Sequence, residues 1–113
     1  DEMSVFANHI LRFVRIGFYM VVIAHILGCG WYFIGSSTLA TNKGESWLWR
    51  YNVVGTSTSH RYCLSIYWAF VTVTTVGYGD IVPVSDAERY YVVCCTFVGN
   101  MAFAFMVGKI TAL

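Results

Sequence analysis

From Ile16 to Ile34 the chain runs for nineteen residues with His25 as its only readily ionisable group apart from phenols and Cys29. In hydrocarbon a backbone must satisfy its own N–H and C=O groups, and a single segment does so as a helix. Nineteen helical residues rise about 28 Å, enough to cross the apolar layer of a bilayer. The expected helix covers about residues 10–34. Arg12 and Arg15 at its start are placed to snorkel to a headgroup region, and Trp31 and Tyr32 suit the opposite interface. Composition agrees, since 12% of residues are charged against about a quarter in a soluble domain. A net charge of +1 gives no electrostatic case for nucleic acid. A chain of 113 residues makes one structural unit, whose core neighbouring copies and lipid are expected to complete.

A second span is expected over about 87–113, with its apolar stretch from Tyr90 to Val107 and with Gly108 and Lys109 marking the far interface. Gly99 and Asn100 interrupt it near the middle, and its apolar stretch is shorter than the first, as fits a helix lining water rather than facing lipid all round. Residues 35–61 change character to Gly, Ser, Thr and charge and read as an extramembrane connection, with Ser46-Trp47-Leu48-Trp49 expected as a short surface helix. Tyr62 to Thr74 is apolar but too short to span, which predicts a re-entrant helix at about 62–74. Its C-terminal, partly negative end favours a cation beneath it. Pro83 ends the return strand, and Asp86 and Glu88 open the next helix in the order that its dipole favours.

The short helix leads directly into Thr75-Val76-Gly77-Tyr78-Gly79-Asp80. Non-helical backbone at membrane depth survives only when buried in protein or lining an aqueous cavity. Glycine enters left-handed backbone at little steric cost, and Gly77 and Gly79 stand at alternate positions, as turning successive carbonyls toward one axis requires. Carbonyls of Thr75, Val76, Gly77 and Tyr78, with the Thr75 hydroxyl below, then replace an ion's hydration shell. One chain supplies a quarter of each carbonyl ring, which predicts four copies around a shared axis.

The segment Tyr67-Trp68-Ala69-Phe70-Val71-Thr72-Val73-Thr74-Thr75-Val76-Gly77-Tyr78-Gly79-Asp80 resembles the pore helix and signature of tetrameric potassium channels. Ala24-His25-Ile26-Leu27-Gly28-Cys29-Gly30-Trp31-Tyr32-Phe33-Ile34-Gly35 is similar to the outer pore helix of cyclic-nucleotide-binding-domain channels: the ether-à-go-go, plant inward-rectifier and cyclic-nucleotide-gated groups. The stretch from Val98-Gly99 through Val107-Gly108-Lys109-Ile110-Thr111-Ala112-Leu113 resembles that superfamily's inner helix. Tyr78 and Asp80 depart from the G-F-G-N usual in ether-à-go-go filters and lean toward the plant-like or conventional form.

The resemblance implies an all-α membrane fold, in which two transmembrane helices flank a re-entrant pore helix and a selectivity filter at 75–79, assembled as a tetramer. It implies potassium ions at Thr75, Val76, Gly77 and Tyr78, with no organic cofactor in this segment. Trp68, Thr72 and Asp80 are expected to brace the filter from behind, the Trp68 indole donating to the Asp80 carboxylate; a plain interface anchor is the other role open to Trp68. Asn100, Phe103 and Val107 share one helical face and match cavity-lining positions, although Asn100 suits equally a bond to a neighbouring helix. Gly99 is a candidate hinge or a site of close packing. Expected partners are three further copies and membrane lipid, with voltage-sensor and cytoplasmic nucleotide-binding domains in a longer parent protein. Cation counts leave the topology open, because Arg12, Arg15 and Lys109 lie on one side and Lys43, Arg50, Arg61 and Arg89 on the other. The resemblance places both termini in the cytoplasm and the protein in the plasma membrane as a multi-pass chain.

The expected function is passive, potassium-selective conduction. Two alternatives accompany it: a weakly selective cation pore of the cyclic-nucleotide-gated type and a non-conducting regulatory subunit. The chain has no nucleophile–base pair and no metal-ligand spacing, so an enzyme is not expected. Cys29, Cys94 and Cys95 lie in apolar runs as packing thiols, and Cys63 is the one placed for oxidation. His25 is expected to bond a neighbouring helix rather than to sense protons. Asp1-Glu2-Met3-Ser4 lacks the basic start of a signal peptide, and the fragment is expected to begin inside a longer protein.

Overall fold

A computed structural model describes residues 1–42 and 45–112. Lys43, one of the cations of the connection, and Leu113, the expected end of the last helix, lie outside them. Four helices occur in chain order: α1 (Glu2–Asn42), α2 (Trp47–Arg50), α3 (Thr58–Val73) and α4 (Asp86–Thr111). Both α1 and α4 are long and apolar enough to cross a membrane. Only 11% and 17% of their most apolar stretches are buried within the chain, unlike the core helices of a soluble protein.

Hydroxyl groups explain why the helices differ in extent from the sequence expectation. The first, expected at 10–34, runs from Glu2 to Asn42. Residues before 10 stay helical, since neither Gly nor Pro interrupts them. At its end the residues that looked like a connection stay helical. Thr38 donates to the Ile34 carbonyl at 2.7 Å and Thr41 to the Ser37 carbonyl at 3.2 Å, so these side chains close on their own helix. The third helix begins at Thr58 rather than 62, because Ser57 caps it by accepting from the His60 amide at 3.2 Å. It ends one residue early, at Val73. The last helix starts at Asp86 behind a capping box formed by Ser85 and Glu88.

The core is an aromatic stack that joins all four helices. Trp31 of α1 lies between Trp68 of α3 (centroids 4.2 Å apart, 7° between planes) and Trp47 of α2 (5.2 Å, 16°). Tyr91 of α4 closes the stack and donates to the Leu27 carbonyl at 2.7 Å. Trp31 is fully buried, so its ring packs in the core of the chain instead of standing exposed. The Trp47 indole donates to the Trp31 carbonyl at 3.1 Å, so the stack is tied by backbone as well as by ring contact.

Close approach of α1 to its neighbours depends on Gly28, where an added Cβ would stand 3.0 Å from the Ser65 carbonyl oxygen of α3. His25, one turn earlier, is hydrogen-bonded through Nδ1 to the Tyr62 hydroxyl at 2.8 Å, so it reaches the neighbouring helix. Of the four free cysteines only Cys95 is buried.

Candidate functional site

The segment leaving α3 is held from behind by the last turn of that helix. Thr75 N–H donates to the Thr72 carbonyl at 3.3 Å, and the amides of Val76 and Gly77 share the Val71 carbonyl at 3.0 and 3.2 Å. With the amides turned toward α3, the carbonyls face away from it. The backbone sets this up by alternation: φ is +64° at Thr75, +59° at Gly77 and +77° at Gly79, while Val76 and Tyr78 between them keep negative φ. Alternating hand is the backbone pattern that can turn successive peptide units the same way, and the bonds from the Val76 and Gly77 amides turn the carbonyls of Thr75 and Val76 away from α3. Among the described residues no hydrogen bond ends on the carbonyls of Thr75, Val76, Gly77 or Tyr78. All of 75–80 are exposed in the single chain.

Asp80 comes after the row, and here the expectation fails. The Trp68 indole does not reach it. The partner is Tyr67, whose hydroxyl donates to Asp80 Oδ2 at 2.6 Å, while the Ile81 amide donates to Oδ1 at 3.1 Å. Adjacent residues on a helix point about 100° apart, so Trp68, turned into the aromatic stack, leaves Tyr67 to face the loop. Donation to a carboxylate raises the Tyr67 phenol above its ordinary pKa. Thr72 is half-buried on the same flank and, with Val71, Thr75, Asp80 and Asn100, lines a cavity of about 360 Å³ behind the row.

Helix α4 meets this region at Gly99, where an added Cβ would stand 2.9 Å from Val73 Cγ2 at the end of α3. That is the close packing foreseen as one of its two roles, and α4 stays helical through it. Asn100 is half-buried with its side-chain oxygen unpartnered, on the edge of the cavity. Phe103 is half-buried and Val107 is exposed, so the three expected cavity residues form one stripe beside the packed face. Phe105 lies on another face, 66% exposed, with Lys109 Nζ 5.3 Å from its ring centre.

Glu88 has a role that its sequence position alone did not reveal. It is fully buried, and its carboxylate accepts three backbone amides: Trp47 on Oε2 at 2.9 Å, Val84 and Ser85 on Oε1 at 3.0 and 3.2 Å. It therefore ties the start of α4 both to α2 and to the segment returning from Asp80, which is irregular rather than the strand expected there. The Ser85-Asp86-Ala87-Glu88 capping box was a legible signal for part of this; the bond to α2 was not.

A family model described as ion transport protein matches residues 1–113, the whole chain. The chain belongs to the ion transport protein family. Among similar proteins is the voltage-gated delayed rectifier potassium channel KCNH5 of Homo sapiens, 30% identical over 81% of this chain and 11% of its own length. The potassium voltage-gated channel protein eag of Drosophila melanogaster is 28% identical over 85% of this chain and 10% of its own. The potassium voltage-gated channel unc-103 of Caenorhabditis elegans is 26% identical over 100% of this chain and 15% of its own. The chain thus spans a small part of each relative, and within it lie two helices long and apolar enough to cross a membrane.

Proposed function

We propose that this chain is one quarter of a potassium-selective pore, in which Thr75, Val76, Gly77 and Tyr78 present backbone oxygens, and Thr75 its hydroxyl, to dehydrated K⁺. The observation that carries the reading is the alternating φ at Thr75, Gly77 and Gly79, with amides turned to α3 and carbonyls left without partners. Unpaired carbonyls at membrane depth are costly, and three further copies plus ions supply what one chain lacks. In this reading α3 is the re-entrant helix, Gly79 completes the filter, and Asp80, Tyr67 and Thr72 hold it from behind. Asn100, Phe103 and Val107 line the chamber below, and both chain ends face the cytoplasm. Voltage sensing or nucleotide control would come from other parts of a longer protein, and the names of the relatives support the first.

The test is a reversal potential. Purified protein reconstituted in a planar bilayer with opposed K⁺ and Na⁺ gradients should reverse close to the K⁺ equilibrium potential. Reversal near zero would reassign the chain as a weakly selective cation pore, and absence of current in assembled protein would favour a non-conducting subunit.

A further inference from the structure

We propose a binding site for an anionic phospholipid headgroup where α1 and α4 run together at the end of the molecule away from the filter. A groove of about 470 Å³ opens there, and Arg12, Arg15 and Lys109 all line it. Lys109 lies ten residues beyond Gly99, a rise of about 15 Å along α4 from the foot of the filter. Three cations thus converge with no carboxylate among them. The ion pair among the described residues, Arg89 with Asp86, lies at the opposite end of α4. Glu45, Asp80, Asp86 and Glu88 all belong to that other end, and Asp1 and Glu2 stand about ten residues, or about 15 Å, before Arg12 on α1.

Charge chemistry selects a phosphate. Two guanidinium groups three residues apart on one helix lie on neighbouring positions and offer forked N–H donors, which match the oxygens of a phosphodiester. The ammonium of Lys109 adds a point charge from α4, held near by the Phe105 ring at 5.3 Å. Apolar chemistry selects a lipid over a free phosphate. The groove floor is Ile16 and Met106, and its wall is Phe105, which leads onto the exposed apolar surface of two helices long enough to cross a membrane. A phosphate seated between the cations leaves its acyl chains against that surface. A soluble anion would use the charges and leave the apolar wall bare. The bound headgroup bridges α1 and α4 and so fixes the end of the inner helix against the outer one.

Binding is read without reference to conduction, so the outcome is separable from that of the pore assignment. The intact protein is purified in detergent and titrated with phosphatidylserine or phosphatidylcholine, and retained lipid is counted by native mass spectrometry. We expect phosphatidylserine to be retained in preference to phosphatidylcholine. Arg12→Gln, Arg15→Gln and Lys109→Gln should each weaken retention by roughly fivefold, the effect of one cation near an anionic surface. All three side chains are exposed, so the fold should tolerate the changes, and circular dichroism with the assembled mass checks this. Arg50→Gln, an exposed cation on α2, should leave retention unchanged. Equal retention of the two lipids, undiminished retention by the triple variant, or an equal loss in Arg50→Gln would overturn the site. Glycerol phosphate competing as well as the lipid would overturn the lipid assignment and leave a soluble phosphate in its place.

Discussion

At Gly77 the backbone holds φ at +59°, yet an added Cβ would meet nothing within 4 Å in the single chain. The demand for glycine is therefore conformational, since left-handed backbone costs an L-residue about 1–2 kcal/mol. Gly77→Ala should abolish potassium current while the protein still inserts and assembles; unchanged current and selectivity would sink the filter assignment. Tyr67→Phe should speed the decay of current during sustained opening by several-fold, because Asp80 loses its 2.6 Å donor. Tyr67→Trp, which restores an N–H donor, should recover part of the wild-type rate. The phenol's raised pKa fixes the sign with pH: the bond is intact below the ordinary value near 10 and is lost only as pH climbs through the higher one. The alternating glycines were legible in the sequence because the requirement is local. Which of Tyr67 and Trp68 faces the loop was not, because it depends on how α3 is rotated against Trp31.

Among the helices, α2 is four residues long and cannot hold its place by its own hydrogen bonds. Ser46, Trp47 and the buried Glu88 fix it instead. Glu88→Gln keeps one oxygen for Val84 and Ser85 but turns an NH₂ toward the Trp47 amide, so it should lose about 1–3 kcal/mol. Glu88→Ala strands all three amides and should cost about 3–5 kcal/mol, read as a lower thermal midpoint of the assembled protein in detergent. At the inner helix, Phe103→Ala should weaken tetra-alkylammonium block from the cytoplasmic side by roughly two- to thirtyfold through lost cation–π attraction. Phe105→Ala should matter much less, since that ring lies on another face. If block instead depended on Phe105, α4 would be rotated from this assignment. Helix existence was legible from apolar length; the start of α3 was not, since Ser57 decides it through an individual hydroxyl bond.

The molecule as a whole is 62 Å long and 20 Å across its thinnest axis, with an aromatic core at one end and long apolar helix surfaces uncovered. Cross-linking in detergent should give four chains, and a conducting monomer or dimer would defeat the four-copy reading. The row of carbonyls between Thr75 and Tyr78 carries a further consequence, one of inheritance. In the proposed four-copy pore each ion site would take an oxygen from every copy, so one faulty chain would spoil the ring it joins. When intact and Gly77→Ala chains are made in equal amounts and mix at random, roughly one ring in sixteen is wholly intact. Current should then fall to about a sixteenth instead of a half. A substitution in this short stretch is expected to behave as a dominant allele, whereas one that prevents folding before assembly would be recessive.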